Sequence, residues 1–498
     1  MAQIFKNYIN GEWIAKGSQG TFDNLNPADR SDVVGIFPKS GLQEVEAAVE
    51  AADRAQPGWA RVPAPRRGEI LKRVGDILAA RKNEIAELMT REMGKVLKEA
   101  RGDVQEGIDC AYYYAGEGRR LFGDTTPSEL DNKFAMSIRR PVGVCGIITP
   151  WNFPMAIPTW KSFPALVCGN TLVFKPASDT PATAVKLVEV FEEAGVPKGV
   201  VNLVHGGGGL VGNALVNHPK VRLISFTGSS SVGRDILQAC GKRLARCSLE
   251  LGGKNAQAVM EDADIDLAVD GALWGAFGTT GQRCTATSRI ILHKAIAKKF
   301  TQLFVERTRK LVLGNGLDSR SEVGPVVNQG QIDTVSSYVK IGKDEGAELL
   351  CGGEVATDGD LAKGYFFKPT VFGGVKRNMR LFQEEIFGPV VAITEVNDFE
   401  EAIAAVNDSA YGLSSSVYTR DVNRAFQAVR DIEAGITYIN VPTIGAEVHL
   451  PFGGCKDTGN GHREAGRAAL DVFSEWKSVY IDFSGKLQKA QIDTHAED

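Results

Sequence analysis

The chain has 498 residues, with 57 Lys and Arg against 61 Asp and Glu and 43% hydrophobic residues. A near-neutral balance gives no basic face for a nucleic acid or an anionic membrane, so neither is expected as a partner. The length points to two to four domains, with cores large enough to need no disulfide or metal.

Eight cysteines are scattered without a CxxC pair. No clustered Cys and His give a zinc pattern, so the thiols read as free, in a reducing compartment. The first ten residues lack a charged-then-apolar leader, and no window approaches the roughly 18 apolar residues of a membrane span. A cytoplasmic protein without metal is expected.

Along the chain, the first third reads as rich in helix. Ser40 followed by Gln43 suggests a capping box, with Leu42, Val45, Val49 and Ala52 on one buried face. A second helix carries Ile70, Leu71, Val74, Ile77 and Leu78 at helical spacing. Lys133 to Arg139 alternates like a strand. Short apolar runs follow at Val142 to Ile148, Thr171 to Phe174, Val201 to Val204, Val221 to Phe226 and Asn255 to Met260. Helical stretches separate them, among them Pro181 to Ala194, with Pro at its start and Gly195 past its end, and Ser231 to Cys240. Such alternation predicts a doubly wound, mostly parallel α/β sheet, with ligands beyond the carboxyl ends of its strands. A second alternating block runs from Ser288 to about Asn440, and Trp476 to Phe483 is again strand-like. The two outlying strands pair with each other or with a neighbouring subunit.

Two glycine-rich turns compete for a dinucleotide. Gly207, Gly209 and Gly212 fit GxGxxG after a strand. Residues 222 to 234 contain no Asp or Glu to hold a ribose, so a tight turn is favoured over phosphate contact. Phe226 to Gly233, with Gly228 and Ser229, follows a strand and opens a helix. Small residues there let backbone N–H groups approach a pyrophosphate.

Six segments then stand in one order: Pro150-Trp151-Asn152-Phe153-Pro154, Phe174-Lys175-Pro176, the Phe226 turn, Glu250-Leu251-Gly252-Gly253-Lys254, Gly281-Gln282-Arg283-Cys284-Thr285 and Glu385-Ile386-Phe387-Gly388-Pro389. Their order and spacing resemble the aldehyde dehydrogenase superfamily over essentially the whole length. The resemblance implies a Rossmann-like cofactor domain at 1–122 and 142–252 and an α/β catalytic domain at 253–452. It further implies a small β-ribbon oligomerisation element at 123–141 and 472–498, and hence a homodimer or homotetramer.

By the same resemblance, Cys284 is the nucleophile that attacks a small-molecule aldehyde, because a thiolate both attacks carbonyls and leaves readily. Asn152 and the Cys284 N–H stabilise the oxyanion of the thiohemiacetal. Glu250 is the base that activates water for thioester hydrolysis. Lys175, Trp151, Gly228, Ser229, Glu385 and Phe387 fall on the cofactor, NAD or NADP. Ser178 stands where many members carry a Glu that grips the ribose hydroxyls and repels a 2′-phosphate, which keeps NADP open. Asp179 next to it is able to restore some of that repulsion.

For the substrate, Arg283, Glu106, Ile444 and Phe452 are the candidates. The succinate-semialdehyde type places Arg where this chain has Trp160 and Gly278. Arg283 and Glu106 resemble the α-aminoadipate semialdehyde type, and an Arg before the Cys also occurs in 2-oxoglutarate semialdehyde enzymes. An acidic semialdehyde is expected. The alternatives are a broad aliphatic or aromatic aldehyde, a CoA-acylating enzyme, which lacks the base, and a non-catalytic protein on this fold. Arg283 also reads as a plain loop-holding donor.

Overall fold

The computed structural model describes residues 2–489 and 491; the last part of the expected ribbon, 490 and 492–498, lies outside the described residues. One seven-stranded sheet runs in the order Arg246–Glu250, Val221–Thr227, Val144–Ile148, Thr171–Lys175, Val201–Leu203, Asn7–Ile9, Glu12–Ile14. Its first five strands are parallel, and the two amino-terminal ones add antiparallel to the edge. Val144–Ile148 and Thr171–Lys175 are buried at every position, which is why they read as unbroken apolar runs.

From Val144–Ile148 the chain winds outward through Thr171–Lys175 to Val201–Leu203, then returns to Val221–Thr227 on the opposite side. Neighbouring loops therefore leave Ile148 and Thr227 in opposite directions. A crevice opens there, and a doubly wound sheet binds its ligands in such a crevice.

A second seven-stranded sheet runs Glu348–Cys351, Thr370–Gly373, Val390–Val396, Thr287–His293, Asn255–Val259, Ser414–Tyr418, Ile436–Ile439. All pairs are parallel except the first. The two outlying strands pair with each other. Ser474–Asp482 lies antiparallel to Lys133–Pro141, with Thr125–Pro127 on the far side. No helix among the described residues is long and apolar enough to cross a membrane.

The amino-terminal third departs from the expectation. Four strands precede the first helix, including the hairpin of Thr21–Asn26 with Asp29–Pro38. That helix, Leu42–Arg61, is capped at Gly41 rather than Ser40. The Glu44 carboxylate accepts from the Gly41 N–H at 2.8 Å, while the Ser40 hydroxyl accepts from Asn7 Nδ2 at 2.8 Å. With the cap moved by one residue, Leu42 turns outward and is 62% exposed; Val45, Val49 and Ala52 are buried as expected. The second helix is Ala64–Ala80, burying Leu71, Val74 and Leu78.

Candidate active site

Cys284 ends a loop that few sequences would adopt unaided. The helix Ile265–Phe277 stops at Gly278, and Thr279, Thr280 and Gly281 follow with φ of 52°, 59° and 70°. Left-handed backbone is costly for a β-branched residue and persists only where its surroundings fix it. Here they do. Thr279 N–H donates to Glu99 Oε1 at 2.8 Å, and Thr280 Oγ1 donates to the Gly324 carbonyl at 3.0 Å. Val327 N–H donates to Gln282 Oε1 at 3.0 Å. A Cβ on Gly281 would stand 2.2 Å from the Gly388 carbonyl oxygen, so the Cys284 loop and the Phe387-Gly388 turn touch backbone to backbone.

Burial pushes the Cys284 thiol up, and the nearby Glu250, Glu385 and Glu464 push it further. Its carbonyl accepts from Asn255 Nδ2 at 2.8 Å, and a Cβ on Gly253 would come within 2.4 Å of that oxygen. Glu250-Leu251-Gly252-Gly253 thus passes directly beneath Cys284. Asn152 Nδ2 donates to the Gln282 carbonyl at 3.0 Å, tying the loop after Val144–Ile148 to the cysteine loop.

Glu250 is buried, and neither carboxylate oxygen has a hydrogen-bond partner. Burial and then Glu464 raise it well above the usual carboxylate range, against the pull of Lys161 and Arg463. Lys161 and Glu464 form a buried ion pair beside it, and Lys161 Nζ also donates to Ser225 Oγ at 3.0 Å. The motifs did not reveal this pair. Lys161 did carry a signal, being the only charge in the apolar helix Ala156–Cys168. A buried charge needs a partner. Glu464 carried none.

A cavity of about 120 Å³ brings Cys284, Glu250, Arg283, Glu106, Phe452 and Trp160 together, with Glu464 on its wall. Ile444 is buried but does not line it; Gly445 and Ala446 from the same loop do. Arg283 is committed on its far side. Its guanidinium donates to Glu99 Oε1 at 3.2 Å and Thr279 Oγ1 at 3.0 Å, and lies 4.9 Å from the Trp274 ring centre. Glu99 was also missed from sequence. Glu106 Oε1 is buried without a partner, and burial followed by Asp103 raises its carboxyl to about 8.

In the crevice between the diverging loops, Gly228 N–H donates to the Glu250 carbonyl at 3.1 Å, and Ser229 stands at the start of the helix Ser230–Lys242 with no side-chain cap bond. A Cβ on Gly228 would sit 2.4 Å from the Phe226 ring, so only Gly passes here. Lys175 is buried, and burial lowers its ammonium to about 8. Its Nζ donates to the neighbouring Pro176 carbonyl at 2.7 Å, which leaves N–H groups for a ligand. Glu385 Oε1 accepts from Gly253 N–H at 2.8 Å, and burial raises its carboxyl to about 7. Phe387 has φ of 59° and meets Trp151 edge to face at 5.4 Å. Gly207 to Gly212 forms one wide turn, closed from Gly212 N–H to the Gly207 carbonyl at 3.5 Å. Gly212 lies beside the Lys175 stem. Ser178 is exposed, and the Asp179 carboxylate is occupied by Asn328 Nδ2 at 2.9 Å.

Comparison with known proteins identifies the family. The model of the aldehyde dehydrogenase family matches residues 13–479. The chain is 44% identical over 477 residues to an α-ketoglutaric semialdehyde dehydrogenase of Bacillus subtilis (strain 168), covering 96% of this chain and 98% of that one. It is 42% identical over 484 residues to an α-ketoglutarate semialdehyde dehydrogenase of Haloferax volcanii, covering 97% and 100%. Among solved structures, betaine aldehyde dehydrogenase from Staphylococcus aureus in complex with NAD+ superposes with a TM-score of 0.95 at 34% identity, covering 99% of this chain and 97% of that one. With a thiol, a buried carboxylate and a dinucleotide crevice converging, and a match across nearly its whole length, the chain belongs to the aldehyde dehydrogenase family.

Proposed function

We propose that this chain oxidises an acidic semialdehyde of the 2-oxoglutarate semialdehyde kind to the corresponding acid. The observation that carries the substrate reading is Arg283, the cation on the wall of the Cys284 cavity. A planar guanidinium suits a carboxylate, and Glu99 holds it in place from behind. The two most similar relatives cited above act on that class of aldehyde by name.

In this reading Cys284 attacks the aldehyde carbon, and Asn152 with the Cys284 N–H receives the oxyanion. NAD or NADP, when bound, supplies the hydride acceptor. The residues of the crevice fit such a group: Gly228 and Ser229 at a helix start suit its pyrophosphate, Lys175 and Glu385 its riboses, and Trp151 and Phe387 flank it. Ser178 carries no charge to repel a 2′-phosphate, while Asn328 anchors the Asp179 carboxylate next to it, so NAD and NADP both stay open. Glu250 then activates water to release the acid from Cys284. The two seven-stranded sheets and the three-stranded ribbon support a division into 1–122 with 142–252, 253–452, and a ribbon at 123–141 with 472 onward. A homo-oligomer in the cytoplasm fits the ribbon and the unpaired thiols.

The test compares kcat/KM for a semialdehyde ending in a carboxylate with a neutral aldehyde of equal length, using both cofactors. The carboxylate should be preferred by about 100-fold, in line with a charged hydrogen-bonded contact. Arg283→Leu should erase most of that preference. Equal kcat/KM for the two aldehydes in the parent enzyme removes the acidic-substrate reading and favours a broad aldehyde range.

A further inference from the structure

Between the amino-terminal helices and the Asn152 loop lies a charge pair that the reaction chemistry does not use. Lys95 and Asp103 face each other at 2.9 Å, and both side chains are fully buried. Lys95 sits just past the helix Lys82–Met93, and Asp103 lies within the helix Leu97–Glu117. Two buried charges are costly, and such a pair gains little stability over an apolar one. What it offers here is placement. Lys95 Nζ donates to the Asn152 carbonyl at 2.7 Å. Asp103 Oδ1 accepts from the Ala156 N–H at 2.7 Å. The ammonium also lies 3.9 Å from the centre of the Phe153 ring. One ion pair therefore grips both ends of the segment from Asn152 to Ala156. That segment carries the Asn152 amide, and Phe153 and Ala156 line the Cys284 cavity.

We infer that Lys95 and Asp103 are positioning residues for oxyanion stabilisation: the pair fixes the backbone of Asn152 so that its side-chain amide stands ready beside Cys284. Asn152 Nδ2 is already directed to the Gln282 carbonyl, two residues before the thiol. Preorganised donors stabilise a developing oxyanion because they need no rearrangement when charge forms. A displacement of about 1 Å costs on the order of 100-fold in rate. The inference rests on the role given to Asn152 in the proposed mechanism.

The test is a double-mutant cycle on the hydride-transfer step, measured as the pre-steady-state burst of reduced cofactor at saturating substrate. Lys95→Met leaves Asp103 buried without its counter-ion, so the working variant is Lys95→Met/Asp103→Asn. It removes both charges together and keeps an oxygen for the Ala156 N–H. In the parent background this variant should slow the burst by about 30-fold or more, within the range for a misplaced group. Aldehyde KM and cofactor affinity should change little. In the Asn152→Ala background the same replacement should slow it by less than about 3-fold, because residues acting as a unit are non-additive. A loss of equal size in both backgrounds, or no loss in a folded protein, overturns the inference. Should the double replacement not fold, Lys95→Arg goes through the same cycle with the same criterion, because its larger planar head in this fully buried site must push the Asn152 carbonyl from its place. A normal burst in Asn152→Ala alone would instead remove the role assigned to Asn152.

Discussion

Glu250 has no partner for either carboxylate oxygen, and a buried acid in that state holds its proton. Burial is the larger cause and the Glu464 carboxylate the next, with Lys161 and Arg463 opposing them. In the proposed role of general base Glu250 must be ionised, so acyl-enzyme hydrolysis should rise with pH through this raised pKa. Glu464→Gln removes a like charge and frees Lys161 from its pair. Both changes favour the ionised form, so the rising limb should move to lower pH. Single-turnover hydrolysis of the thioester across pH measures this, and an unmoved limb would mean that Glu464 does not govern the base. At this scale the sequence was legible where a residue sits in a local motif. It was silent where the partner is remote: Lys161 and Glu464 are 303 positions apart, and Glu99 meets Arg283 across 184. No local spacing encodes such contacts, although a lone lysine in an apolar helix does announce that one must exist.

The parallel strands were readable because both faces are covered, which forces an unbroken apolar run. Their ends were not, since Val142 and Gly143 lie before the strand Val144–Ile148 and Lys175 lies inside its own. The amino-terminal strands were missed for a related reason. Asn7–Ile9 and Glu12–Ile14 have three residues each, and the pairing of Asn7–Ile9 with Val201–Leu203 is long-range. Periodicity over three residues carries no signal. The cap at Gly41 was misplaced because its partner, Glu44, is shared with Ser18, which donates to it from Oγ at 2.7 Å. The cysteine loop shows the opposite limit: its motif is plain in sequence, but its strained backbone is not. Gly281 has φ of 70° and meets the Gly388 carbonyl. Gly281→Ala should therefore cost about 2 kcal/mol of stability through overpacking and strain. It should also slow hydride transfer about 100-fold by moving Cys284. Burst kinetics beside a denaturant midpoint separates the two, and a normal burst would show that the loop tolerates the shift.

At the scale of the whole molecule, the ribbon leaves one surface unexplained by a single chain. Val479 pairs with Met136, Ile481 with Phe134, and Lys477 with Ile138. Cross-strand partners share a face, so Phe134, Met136, Ile138, Val479 and Ile481 form one apolar surface with Lys477 at its end. Phe134 is 42% exposed and Ile481 50% exposed. The opposite face carries Trp476 and Tyr480, which stay exposed although Arg139 lies 4.2 Å from the Trp476 ring centre and Lys133 5.2 Å from that of Tyr480. A contiguous apolar patch of this kind marks an association surface, and a symmetric pair would bury the same strip on both copies. Replacing Ile481 with Asp places a charge on that strip opposite Phe134, where burial without a partner is costly. The cavity around Cys284 is lined from other parts of the chain, so the burst per subunit should stay within about 3-fold of the parent. Light scattering behind size exclusion should give a multiple of the monomer mass for the parent and the monomer for Ile481→Asp. A parent that is already monomeric, or a variant that stays assembled, would show that the ribbon does not join subunits.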